Sequence, residues 1–189
     1  MVTIIFSHPW FGSFNTSILD TVINRLVAED KEYQVIDLYK DNFNPAFSEE
    51  ELALYSKGGT TYELTKRYQE QLKKSNEIIF IFPIWWSSIP AILKGFIDKV
   101  MLRGFAYYID NTGWHPLLSF DKVTIISTSE SPTGYFVKSI QDVFINQTLA
   151  QIGMGNATWY NLEHTTTGTD EHRDIFLNKV KDVISCRPA

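Results

Sequence analysis

The chain has 189 residues, 44% of them apolar and 21% charged, with a formal net charge of −5. That length and apolar content suit a single domain, residues 1–189, with a sizeable buried core, and exclude a disordered chain. The negative balance argues against a general nucleic-acid binder, which needs a basic face.

The first element in the chain is an apolar run, Val2–Phe6, which predicts a strand. No basic leader precedes it, and Ser7-His8-Pro9 ends it too early for a signal peptide or a membrane span. A cytoplasmic protein without membrane insertion is expected. Between Thr16 and Ala28, Ile18, Leu19, Val22, Ile23, Leu26 and Val27 recur at spacings of three and four, which predicts a helix. Tyr33–Leu38 reads as the second strand. Tyr39 to Gly59 then breaks the rhythm, with a loop at Asp41–Pro45 and a short helix capped by Ser48 and Glu51. So long an excursion is expected to cover a site. Helical patterns follow at Thr61–Lys74, Ala91–Leu102, Phe136–Ile152 and Glu171–Ile184. They alternate with apolar runs at Glu77–Phe82, Lys122–Thr128 and Ala157–Leu162. Five alternations predict an α/β, doubly wound parallel sheet, its inner strands buried on both faces. The single cysteine, Cys186, fits a reducing compartment. The non-aliphatic Arg187 and Pro188 after it do not make a prenylation signal.

In such a sheet, ligands bind beyond the carboxyl ends of the strands. The first loop offers Ser13, Asn15, Thr16 and Ser17 beside the amides of a helix start, a donor set for phosphate that needs no Lys or Arg. Ser13 or Asn15 serving only as a helix cap is the alternative. Neither G-x-G-x-x-G nor a P-loop is present, against a dinucleotide fold of the Rossmann type and a P-loop nucleotidase. The loop after the third strand carries Trp85 and Trp86, which cannot both enter one core layer. One of them suits the wall of a flat heteroaromatic ring; the alternative is core or interface packing. His115, His164 and His172 lack metal-ligand spacing, so no metal is expected. Ser7-His8 has no nucleophile elbow around it.

Ser7-His8-Pro9, Ser13-Phe14-Asn15, the long run Pro83-Ile84-Trp85-Trp86-Ser87-Ser88-Ile89-Pro90-Ala91-Ile92-Leu93-Lys94-Gly95-Phe96-Ile97-Asp98-Lys99-Val100, and Gly104-Phe105-Ala106-Tyr107 together resemble the NAD(P)H:quinone oxidoreductase (DT-diaphorase) family. The likeness is greatest to its short bacterial members, of the general stress or modulator-of-drug-activity type, and runs from residue 2 to about 138. It implies a flavodoxin-like sheet of order 2-1-3-4-5, a homodimer and a tightly held flavin. By position His8, Ser13, Phe14, Asn15 and Thr16 would hold the phosphate and ribityl chain. Pro83, Ile84, Trp85, Trp86 and Ser87 would run along the ring, and Ser127, Thr128, Ser129 and Glu130 would approach its far edge. Well-known members carry two glycines where Ser129 and Glu130 stand, and Glu130 is expected to point to solvent. Tyr135, seven residues after Thr128, matches a family tyrosine that stabilises charge on the reduced ring. The family's partner histidine has no counterpart between Phe136 and Thr148. Phe105, Tyr107 and Tyr108 would help wall a substrate pocket, across the dimer interface.

The resemblance implies FMN, rather than the FAD of longer members, NAD(P)H as co-substrate, and two-electron ping-pong hydride transfer to a quinone or similar flat small-molecule acceptor. Three other readings stand beside it: an ancillary flavoprotein subunit of a membrane transporter, an electron-transfer flavodoxin, and a flavin-free relative used for binding.

Overall fold

The computed structural model describes residues 1–185, so Cys186 lies outside the described residues. Five strands form one sheet: β1 (Val2–Phe6), β2 (Tyr33–Asp37), β3 (Glu77–Pro83), β6 (Lys122–Thr128) and β7 (Ala157–Leu162). Their order is β2-β1-β3-β6-β7 and every neighbouring pair is parallel. This is the expected order 2-1-3-4-5, with a two-stranded antiparallel hairpin, β4 (Tyr107–Asp110) and β5 (Gly113–Pro116), added between β3 and β6 in the chain.

The three inner strands are apolar almost without a break because both of their faces are covered. β1 is buried throughout, and β3 and β6 at all but their first residues. Alternate residues feed two cores. Ile4, Phe6, Ile79, Ile81 and Ile126 face α1 (Phe14–Ala28) and α5 (Asp170–Ser185) through Ile18, Val22, Leu26, Phe176 and Val180. Ile5, Ile78, Phe80, Phe82 and Ile125 face the other layer, where α3 (Glu63–Lys73), α4 (Ala91–Val100) and a wide helix at Val137–Leu149 supply Tyr68, Phe96 and Phe144. The edge strands β2 and β7 are only half-buried.

Two elements differ from the sequence expectation. The segment expected as one helix over Phe136–Ile152 is a 3-10 turn (Thr133–Phe136), a π-helix (Val137–Leu149) and a second 3-10 turn (Ala150–Ile152). Its buried residues, Ile140, Phe144, Ile145 and Leu149, recur every four to five positions, which the wider helix turns to one side. The excursion after β2 contributes no residue to the cavity described below. Its short helix α2 (Glu49–Tyr55) carries the expected capping box of Ser48 and Glu51. The excursion is fastened to α4 by Lys99, whose buried ammonium donates to Asn44 O at 2.9 Å and Ala46 O at 3.0 Å and forms an ion pair with Glu51 Oε1 at 3.0 Å. Pro45 packs so tightly on Gly95 that an added Cβ there would lie 2.4 Å from it. Among the described residues, no helix is long and apolar enough to cross a membrane.

Candidate functional site

Four loops leave the carboxyl ends of β1, β3, β6 and β7, and together they line a cavity of about 490 Å³. The β1–α1 loop contributes His8, Trp10, Gly12, Ser13, Phe14, Asn15 and Ser17. Its path is set locally. Ser7 N–H donates to Ile81 O at 3.0 Å, carrying the sheet one residue past β1. Ser13 caps α1, its hydroxyl accepting from Thr16 N–H at 3.2 Å. The Trp10 indole lies over Gly12, where an added Cβ would meet it at 2.4 Å. Trp10 N–H donates to His8 Nδ1 at 3.1 Å, which leaves the ring proton of the neutral form on Nε2. Burial holds the His8 pKa below its ordinary 6.5, favouring that neutral form.

Two polar atoms of this loop are buried without a hydrogen-bond partner, Ser7 Oγ and Asn15 Oδ1. Asn15 is otherwise anchored, since its Nδ2 donates to Thr128 Oγ1 at 2.9 Å across the end of β3. The first turn of α1 holds no acidic residue, so beyond the Ser13 cap on Thr16 N–H no side-chain charge opposes the positive end of its dipole.

The β3–α4 loop places Pro83, Ile84 and Trp85 on the wall. Ile84 N–H donates to Thr128 O at 2.8 Å. Trp85 and Ser88 exchange two backbone hydrogen bonds of 3.0 Å, closing a two-residue turn over Trp86 and Ser87. Both turn residues have left-handed φ, +49° and +58°, as a type I′ turn requires and as glycine or asparagine would adopt at less cost. The Trp86 side chain is fully exposed at the tip, and Trp86 and Ser87 lie outside the lining. Trp85 turns inward beside His8, ring centroids 5.8 Å apart.

The β6 end contributes Thr128, Ser129 and Glu130, the β7–α5 loop Thr165 and Thr166, and the first turn of α5 Arg173. Here the side chains bond one another. Ser129 N–H donates to Leu162 O at 2.8 Å, and Thr165 gives Ser129 O both its N–H (3.1 Å) and its hydroxyl (3.0 Å). Asn161 Nδ2 donates to Ser129 Oγ and Thr133 Oγ1, while its Oδ1 accepts from Ser127 Oγ. Arg173 is held by Thr165 O, Gly168 O and Asp170 at 2.6–3.0 Å. Two carboxylates close the arrangement. Glu163 accepts from Thr133 N–H at 2.7 Å, and hydrogen bonding from Thr133 lowers its pKa. Glu130 accepts from Thr166 N–H at 2.6 Å and Thr167 Oγ1 at 3.1 Å. Partial desolvation works to raise the Glu130 pKa, but the Thr166 and Thr167 hydrogen bonds outweigh it and hold it below the ordinary range.

Of the residues singled out from sequence, His8, Ser13, Phe14, Asn15, Pro83, Ile84, Trp85, Thr128, Ser129 and Glu130 therefore share one cavity. Thr16 is turned into the cap of α1. Ser127 is fully buried behind the wall, bonded to Asn161 and Trp159. Glu130, exposed as expected, has its carboxylate engaged with the neighbouring loop instead of free in solvent. Tyr135 lies on the 3-10 turn, 75% exposed and outside the lining. Phe105, Tyr107 and Tyr108 are also outside the cavity of a single chain. Tyr107 stacks on Trp114 at 3.8 Å and Tyr108 on His115 at 4.7 Å, within the β4–β5 hairpin. Trp10, Thr165, Thr166 and Arg173 are wall residues that the sequence reading missed. The run Thr165-Thr166-Thr167 after β7 repeats the small-hydroxyl signal of the first loop and could have marked them.

A family model described as a flavodoxin-like fold matches residues 1–184. The chain is 28% identical over 195 residues to an uncharacterized NAD(P)H oxidoreductase, YcaK, of Escherichia coli, covering 97% of this chain and 96% of the relative. Other curated relatives are matched over about half of their length, 54% for the next three. Among solved structures, an NAD(P)H:quinone oxidoreductase from Methanothermobacter marburgensis superimposes with a TM-score of 0.88 at 26% identity, over 97% of this chain and 96% of that one. An FMN-dependent NADH-azoreductase from Bacillus anthracis, solved in complex with FMN, shares the fold with a TM-score of 0.82 at 17% identity, each chain covered to 97%.

Proposed function

Because the chain belongs to the flavodoxin-like fold family, we propose that its four-loop cavity holds FMN and that the protein passes two electrons from NAD(P)H to quinones or similar flat electrophiles. NAD(P)H-dependent oxidoreduction is the activity its relatives are named for, and it is the activity of this chain. The FMN reading rests above all on the β1–α1 loop. Of the two buried oxygens without partners, Asn15 Oδ1 belongs to a residue that lines the cavity, and an orphaned acceptor beside a helix start without acidic residues is unfavourable unless a ligand's polar groups meet it. A phosphorylated, hydroxyl-rich chain carrying a flat ring fits that loop, and Ile84 and Trp85 give the ring an apolar wall.

In this reading Ser13, Asn15, Ser17 and the α1 amides hold the phosphate and ribityl chain, and Pro83, Ile84, Trp85 and Thr128 flank the ring. Bound FMN supplies the capacity to take a hydride and release it. The chain's own part is to orient the ring, keep water from one side of it, and offer the neutral His8 Nε2–H as a donor at the wall. One open cavity must admit both NAD(P)H and the acceptor, so the two are used in turn, in a ping-pong cycle. A homodimer belongs to the same proposal, with the exposed Tyr108, Ile109 and Trp114 of the β4–β5 hairpin as an apolar contact surface.

The test is the visible spectrum of the purified protein with the released flavin identified, followed by NAD(P)H oxidation at varied quinone. A bound FMN spectrum and parallel double-reciprocal lines are expected. Protein that stays colourless after reconstitution overturns the cofactor, and intersecting lines overturn the ping-pong cycle.

A further inference from the structure

Among the described residues lining the cavity, Glu130 is the one carboxylate. It lines the same cavity as the start of α1, which favours anions, and as Arg173, whose guanidinium is paired with Asp170. A negative charge there works against any ligand that is anionic or becomes so. Its geometry gives it a specific task. From the end of β6 its two oxygens reach separate residues of the β7–α5 loop, Thr166 N–H at 2.6 Å and Thr167 Oγ1 at 3.1 Å. Thr165 and Thr166, on that same loop, line the cavity beside it.

We propose that Glu130 is a positioning residue of this site: its carboxylate latches the β7–α5 loop to the end of β6, and its fixed negative charge holds down the reduction potential of the flavin bound there. The second half rests on the FMN reading above; the first does not. The latch follows from reach. The contacts of Ser129 with Leu162 and Thr165 fix the start of the loop to β6 and β7, Arg173 ties Thr165 O and Gly168 O to α5, and Glu130 ties residues 166 and 167 to the end of β6. The charge effect follows from electrostatics. Two-electron reduction with uptake of one proton leaves a flavin ring one charge more negative, and a nearby carboxylate disfavours that state. Because Glu130 is exposed, salt weakens the effect.

Two substitutions separate the halves. E130Q keeps an oxygen for Thr166 N–H and a polar partner for Thr167 but removes the charge; E130A removes both. Hydrogen exchange of the Thr166 amide in the flavin-free protein reads the latch. Protection falls at least about tenfold in E130A, stays within about threefold of the original in E130Q, and is intermediate in T167V, which also serves if E130A does not fold. Equilibration of the FMN-loaded protein against a reference dye reads the charge. E130Q favours the reduced form about three- to tenfold at low salt, about 15–30 mV for a two-electron couple, and the gap narrows in high salt. Unchanged protection in E130A and T167V overturns the latch. Equal dye equilibria for E130Q and the original protein overturn the charge effect. If the original protein takes up no FMN, the cofactor reading fails, and the charge half with it, while the exchange measurement still decides the latch.

Discussion

The two ends of the cavity are built on opposite plans. At the β1–α1 end, Asn15 Oδ1 is buried without a partner on a residue that lines the cavity, and no acidic side chain opposes the helix dipole. At the β6–β7 end, Ser129, Glu130, Asn161, Glu163, Thr165 and Arg173 all engage one another or nearby backbone. The first end is shaped to receive a ligand's polar groups and the second to keep its own shape. Each unpartnered buried group costs roughly 1–3 kcal/mol, a noticeable part of the roughly 5–15 kcal/mol that holds a typical domain together. The open end is therefore where ligand binding should return stability.

Asn15→Leu should break the contrast most severely. It removes the unpartnered Oδ1 and the bond to Thr128, and we expect FMN affinity to fall about 100-fold, about 2.7 kcal/mol. A fluorescence titration giving unchanged affinity would mean that the orphaned oxygen has no ligand. Asn161→Ala tests the closed end. It removes three side-chain hydrogen bonds and should cost about 1–3 kcal/mol in urea unfolding while leaving FMN affinity within about threefold. A large loss of affinity with no loss of stability would reverse the assignment of the two ends. Ser87→Gly, in the tight turn between them, should raise stability by about 0.5–1 kcal/mol, since glycine adopts the left-handed φ without the side-chain penalty. A fall in the thermal midpoint would show that the turn is not strained.

The smallest effect separates the ends by pH. His8 has its pKa lowered in the folded protein, so the unfolded chain binds the proton more tightly. The stability this contributes is complete above pH 6.5 and is lost as pH falls through the folded value. Glu130 and Glu163 are also lowered, so their contribution is complete above about pH 4.5 and is lost on further acidification. Urea midpoints followed from pH 8 to pH 3 should decline first through the open end and then through the closed one. His8→Gln should remove the upper step alone. A single decline in both proteins would contradict the separation.

The sheet was legible because burial on both faces forces β1, β3 and β6 to be apolar at nearly every position, a pattern that needs no spatial knowledge. The β4–β5 hairpin was not, since its four-residue strands are mostly exposed and Asp110, Gly113 and Pro116 break any run. The π-helix was read as an ordinary helix because Ile140 with Phe144 and Ile145 with Leu149 are each four residues apart, a spacing an α-helix also turns to one face. Two of the four cavity loops were found from their chemistry and position after strands, and the loop after β6 from the family resemblance. Arg173 was missed because its route to the wall runs through the fold of the β7–α5 loop, which no local spacing encodes. Tyr135 carries the right spacing after Thr128, yet spacing says nothing of where a 3-10 turn aims its side chain.

The bond between Asn15 and Thr128 joins residues 113 positions apart. During synthesis, the β1–α1 loop leaves the ribosome before β6, so it exists before its fixed partner Thr128 is made. The latch from Glu130 to Thr166 and Thr167 comes later still. A nascent chain therefore has its β1–α1 loop before it has a complete cavity, and any ligand that needs both walls must wait for the loop after β7.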